Sequence, residues 1–78
     1  MIQELDSVVL TEDISDLRLA KGDIGTVVLV HNNGEGYEVE FMTLSGDTVA
    51  VTTLFSQQIR MIREMEIASA RSLDLLAA

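Results

Sequence analysis

The stretch that decides the fold is "LAKGDIGTVVLVHNNGEGYEVEF", residues 19–41. Lys21-Gly22-Asp23 is a charged turn centred on glycine. Asn33-Gly34 is a pair in which both residues tolerate positive φ, a strong hairpin signal. After that hairpin, Tyr37, Val39 and Phe41 alternate with Glu38 and Glu40, the period-2 pattern of a half-buried strand. Before it, "IGTVVLV" (residues 24–30) is apolar on both faces, with Val27 and Leu29 on one side and Val28 and Val30 on the other. A strand buried on one side only does not look like that, so cover over the second face is expected. Gly25, near the start of this run, predicts a bulge or sharp bend where another backbone comes close.

Working outward, residues 6–10 read as a first strand clustered on Val8 and Val9. The segment that follows carries Glu12, Asp13 and Asp16 with little periodicity, a long acidic loop. Downstream, "LSGD" is a tight turn and "TVAVTTL" (residues 48–54) alternates with Val49 and Val51 expected inward. "FSQQ" then turns into "IRMI" (residues 59–62), with Ile59 and Met61 on one side. Five short strands with tight turns and no proline predict a mainly β domain over residues 1–62, a small closed barrel. Residues 63–78, "REMEIASARSLDLLAA", lack glycine and are rich in helix formers, which predicts a C-terminal α-helical extension. Glu64 and Glu66 stand where they would oppose the helix dipole. Met65, Ala68, Ser72 and Leu76 would share one face, flanked by Leu73. So short a helix needs a surface to lie on, its own barrel or another chain.

At 78 residues the chain is one domain with a small core, and such domains commonly lean on disulfides, a structural metal or association. There is no cysteine and only one histidine, His31, so no disulfide, metal site or cofactor is expected and association is the remaining support. A homo-oligomer is therefore expected, with Val28, Val30, Met65, Ala68, Leu73 and Leu76 as its candidate interface. The net charge is −8, and the barrel segment holds ten acids against three bases. That field repels nucleic acid and anionic membrane surfaces and favours a basic protein partner. "MIQELDSVVL" has no positive n-region, the run "VVLV" is far too short to span a membrane, and a cytoplasmic location is expected.

No constellation of catalytic residues stands out. Glu38 and Glu40 share a face with Asp47 near the next turn, but paired carboxylates do acid–base work only when burial drives their pKa values apart. Their outward pattern predicts solvent exposure, so no catalytic residue is assigned and the protein is expected to be non-enzymatic. "NNGEGYE" lacks the ligand spacing of a calcium loop, and "KGDIG" lacks the closing Gly-Lys-Ser/Thr of a phosphate loop. His31 borders a hairpin without a triad motif around it. Without tryptophan, and with a single tyrosine, polyproline recognition is not expected. Glu35, Glu38, Glu40 and Asp47 remain as a candidate acidic docking face.

Taken together, "ELDSVVLTEDI", "LAKGDIGTVVLV", "GEGYEVEFMTLSGDTVAVTTL" and "QIRMI" resemble the small bacterial proteins grouped as domain of unknown function 4926. The resemblance covers residues 2–62 and implies a five-stranded SH3-like barrel; the helical tail departs from it. That family has no established activity, but its members tend to be encoded beside nuclease-like toxins, which implies an antitoxin or immunity role. Two functional expectations follow. One is an acidic protein-binding module that docks a basic partner, a toxin in the form the resemblance implies. The other is a structural homo-oligomer assembled through the C-terminal helix.

Overall fold

Tyr37, Val39 and Phe41 are buried and Glu38 and Glu40 face outward, so the clean alternation in the deciding stretch does build a half-buried strand. This is a computed structural model, and it describes residues 1–73. Five strands form one antiparallel sheet: β1 (Ser7–Leu10), β2 (Ile24–His31), β3 (Gly36–Met42), β4 (Thr48–Leu54) and β5 (Ile59–Met61). Their order is β4-β3-β2-β1-β5.

The sheet is not closed, which corrects the expected closed barrel. Its edges, β4 and β5, do not pair. The reason is length and connection. β5 offers three residues, all registered on β1. The preceding 3-10 turn, Ser56–Gln58, ties to the first loop instead of to β4: Thr11 donates its N–H to the Gln58 carbonyl at 2.9 Å and its hydroxyl to the Gln57 carbonyl at 2.9 Å. The sheet nonetheless curls far enough for Leu54 of β4 and Ile59 of β5 to enter one core cluster with Val8, Leu10, Leu19, Val27, Tyr37, Val39 and Phe41.

The connections follow the turn chemistry. Residues 11–23 make a long excursion pinched by paired backbone hydrogen bonds between Ile14 and Leu19, at 2.9 and 3.1 Å. It returns through Gly22, whose φ of +96° is the left-handed conformation that a side chain resists. The β2–β3 hairpin turns at Asn32, Asn33 and Gly34, all with positive φ.

The expectations for β2 and β4 need correction. The β2–β3 register shifts between Val27 and Leu29, so Val28 is an extra bulged residue. The bulge lies there and not at Gly25. Past it the alternation inverts: Val27 and Val30 pack toward the core, while Val28 and Leu29 are exposed. No second layer covers the outer face of β2 among the described residues. Gly25 meets side chains, not backbone: a Cβ there would fall 2.6 Å from Val39 Cγ1 and 2.8 Å from the Phe41 ring. On β4 a second shift, between Phe41 and Met42, falls at Val49, which packs against the core as expected; past it Ala50 and Leu54 face the core, while Val51, expected inward, points out, 54% exposed. At the last strand, Ile59 and Met61 lie on one side, opposite Leu10 and Val8, with Ile59 buried and Met61 at the exposed margin.

The tail is the largest correction. Residues 63–73 contain no helix. They return, solvent-exposed from 63 to 72, toward the turn before β2 and are held by two arginine clamps. Arg60 grips Glu66 in a fork, Nη1 to Oε1 at 2.9 Å and Nη2 to Oε2 at 2.6 Å, while the Arg63 N–H donates to Glu66 Oε1 at 2.7 Å. Arg71 reaches Asp23 in the turn before β2, Nε to Oδ1 at 2.8 Å and Nη2 to Oδ2 at 2.5 Å. Met65 stands free at 96% exposure; Ala68 is exposed as well and Leu73 half-buried, both at the rim of a cleft bordered by Leu19, Ile24 and Phe41 of the same chain. Leu76 falls outside the described residues. Helix propensity is a few tenths of a kcal/mol per residue, and two bidentate ion pairs outweigh it over so short a segment.

These clamps make the tail acid-sensitive. The fork from Arg60, then the Arg63 N–H, pulls the Glu66 carboxyl from its ordinary value to about 2. Burial pushes Asp23 upward, but hydrogen bonds from Arg71 and the Ala20 N–H, with the Arg71 charge, outweigh it and leave that carboxyl lowered. A carboxyl lowered by folding adds stability above its unfolded pKa and loses it as pH falls through the folded value. The Arg60–Glu66 clamp is thus expected to stay closed at neutral pH and to open as pH falls from about 4.5 to about 2, and the Arg71–Asp23 clamp to loosen in turn as acid protonates Asp23. Amide chemical shifts of residues 63–66 should move over the first window, and constant shifts there down to about pH 2 would contradict the Arg60–Glu66 clamp.

Candidate acidic face on the central strand

β3 places Glu38 and Glu40 on the outer side of the sheet because the residues between and beside them are core residues. Register supplies their neighbours. Glu38 lies between Leu29 of β2 and Thr53 of β4, and Glu40 between Thr26 and Val51. Glu38 Oε2 accepts a hydrogen bond from the Thr53 hydroxyl and lies 2.8 Å from His31 Nε2. An ionised carboxylate only accepts, so Nε2 carries the proton of that bond. Glu40 Oε2 accepts from the Thr48 hydroxyl at 2.7 Å.

The electrostatics match this geometry. Hydrogen bonds from Thr53 and then His31 stabilise the charged form of Glu38 and hold its carboxyl below the usual range, against a smaller opposing contribution from desolvation. A carboxyl tuned in this direction is a fixed anion at neutral pH, suited to pairing with a cation and ill suited to donating a proton. The surroundings are part apolar: Val28 at the bulge, Leu29 and Val51 are each 41–54% exposed around the two acids. Among the described residues, no group of three or more His, Cys, Asp or Glu side chains could hold a metal ion.

Two of the four acids read from the sequence come together here and two do not. Glu35 sits in the β2–β3 turn, its N–H bonded to the His31 carbonyl at 3.0 Å. Asp47 lies in the β3–β4 turn, where its N–H reaches Thr43 Oγ1 at 3.0 Å and its carboxylate accepts from the Ser45 hydroxyl at 3.4 Å. These turns flank opposite ends of β3, roughly 20 Å apart at about 3.3 Å per strand residue. Of the candidate interface residues, Val28 is exposed beside the acids, whereas Val30 packs against the protein's own core. The roles of His31, Thr48 and Thr53 were missed because cross-strand register alone reveals them. Alternation of Glu38 with buried neighbours could have pointed to a β4 hydroxyl, but not to which one.

No helix of the described residues is long and apolar enough to cross a membrane. Comparison with curated proteins and with solved structures returns no match. The model of the family described as domain of unknown function DUF4926 matches residues 4–61, a span that takes in all five strands, and the chain belongs to that family.

Proposed function

We propose that this protein is a non-enzymatic, SH3-like binding module whose β3 face docks a basic protein. The observation that carries the reading is the pairing of two oriented carboxylates, Glu38 and Glu40, with the exposed aliphatic side chains of Leu29 and Val51 on one rigid sheet face. Anions held in place by hydroxyls steer and orient a cationic partner, and the aliphatic neighbours give it apolar surface to cover. The SH3-like assignment is supported by the strand order β4-β3-β2-β1-β5, the long loop after β1 and the 3-10 turn before β5. Neutralisation of a nuclease-like toxin is the specific form of this function that the family resemblance favours. A cytoplasmic location fits a chain without cysteine.

Charge reversal tests it. Capture from a host lysate at low salt should recover a basic protein with the parent chain, and Glu38→Lys/Glu40→Lys should reduce recovery at least tenfold, mainly through slower association. Glu4→Lys, far from the face in sequence and exposed, serves as the control and should retain capture. Equal capture by all three would sink the electrostatic reading.

A further inference from the structure

We propose that the turn around Asp23 is a second binding site, which reads an arginine in an extended peptide, and that the protein's own tail occupies it as a built-in competitor. This goes beyond the β3 face and depends on none of its residues.

Contacts other than those to the arginine hold the site's acceptors in place. Gly22 takes the left-handed conformation that closes the turn, and Asp23 Oδ2 accepts the Ala20 N–H at 2.8 Å, which fixes the carboxylate plane. Arg18, itself at φ +60°, presents its carbonyl beside that carboxylate. Arg71 fills all of these acceptors: Nε and Nη2 take the two Asp23 oxygens, and Nη2 also donates to the Arg18 carbonyl at 3.0 Å. A planar fork of donors meets a carboxylate and a carbonyl at fixed spacing, which a lysine ammonium cannot reproduce.

Specificity beyond the arginine comes from an adjoining cleft of about 510 Å³, lined chiefly by Leu19, Ile24, Phe41, Leu44 and Val49. Leu73 of the tail forms part of its wall. In an extended segment, residues two apart point to the same side, so an arginine followed two positions later by an apolar residue can use both parts of the site. The tail covers this cleft incompletely, since Ile24 is still 41% and Leu44 95% exposed. A longer apolar side chain therefore has more to gain there than Leu73 does. The protein's net charge of −8 draws basic peptides toward it.

Competition is built in by tethering. Only a short segment separates β5 from Ala68, and a tether of that length holds the tail near its site at an effective concentration of about millimolar. A peptide in solution binds once it outcompetes that segment.

The test is an NMR titration of the isotope-labelled full-length chain with the capped peptide IASARSL, the sequence of residues 67–73. Arg71→Ala empties the site, so this variant should bind the peptide at least tenfold more tightly than the parent, with shifts centred on Asp23, Ile24 and Leu44. A peptide carrying Gln for its arginine should not bind the variant, and one carrying Lys should bind at least threefold more weakly. Because these controls alter only the peptide, they do not depend on a protein substitution that could unfold the turn. Equal affinity of parent and Arg71→Ala, absence of binding to the variant, or indifference to the Gln exchange would each overturn the proposal. None of these outcomes bears on capture through Glu38 and Glu40.

Discussion

Gly25→Ala is expected to cost the fold about 2–3 kcal/mol, lowering the melting temperature by roughly 8–24 °C for a domain of this size. The added methyl would lie 2.6 Å from Val39 Cγ1 and 2.8–2.9 Å from two atoms of the Phe41 ring. Neither neighbour can yield cheaply. Val39 is fully buried and β-branched, so its methyls move only with χ1, and the Phe41 ring is 2% exposed. On the β1 side Gly25 faces Val8, also fully buried, which closes the remaining direction of escape. Reduced freedom of the unfolded chain returns about 0.4–1 kcal/mol, too little to change the sign. Thermal denaturation of the purified variant decides this, and a melting temperature at or above the parent's would show that the contact is not tight.

That glycine illustrates how far the sequence could be read. The strands themselves were legible, because turn chemistry at Gly22, Asn33-Gly34 and Gly46 marks their ends. β3 was legible in full, since acids alternating with large apolar residues admit only one register. β2 and β4 were not. "TVVLV" and "TVAV" are nearly as apolar in one register as in the other, so a one-residue bulge at Val28 or Val49 inverts their faces without leaving a mark in composition. The tail was misread for a different reason. Its composition favours a helix, but what holds it is an ion pair between residues 48 apart in sequence, and local propensity carries no information about such a partner.

The same distinction separates the two proposed surfaces. Glu38 and Glu40 were recognisable because local alternation alone sends them outward. Glu35 and Asp47 lie near them in sequence, but the strand between those two turns separates them by its own length. The Asp23–Arg71 site needed a long loop to return beside a chain terminus, and neither member is distinctive by itself.

Phe41→Ala is expected to have the largest effect of any single change, about 3–5 kcal/mol, which is comparable to the whole stability that a core of this size supplies. The variant should be largely unfolded at 37 °C. Phe41 joins two parts of the molecule: its ring fills the space Gly25 leaves open, and it also lines the cleft against which the tail lies. Phe41→Leu removes less volume and should cost about 1–2 kcal/mol, which leaves enough folded protein for a double-mutant cycle with Gly25→Ala. If the ring is what the new methyl strikes, the smaller leucine makes room, and Gly25→Ala becomes cheaper by about 1 kcal/mol in the Phe41→Leu background. Relief remains incomplete because Val39 Cγ1, the nearer obstacle, does not move. Urea denaturation of the four proteins measures the coupling. Additivity within about 0.5 kcal/mol would mean that Val39 alone resists the methyl, and that ring and glycine are not interlocked.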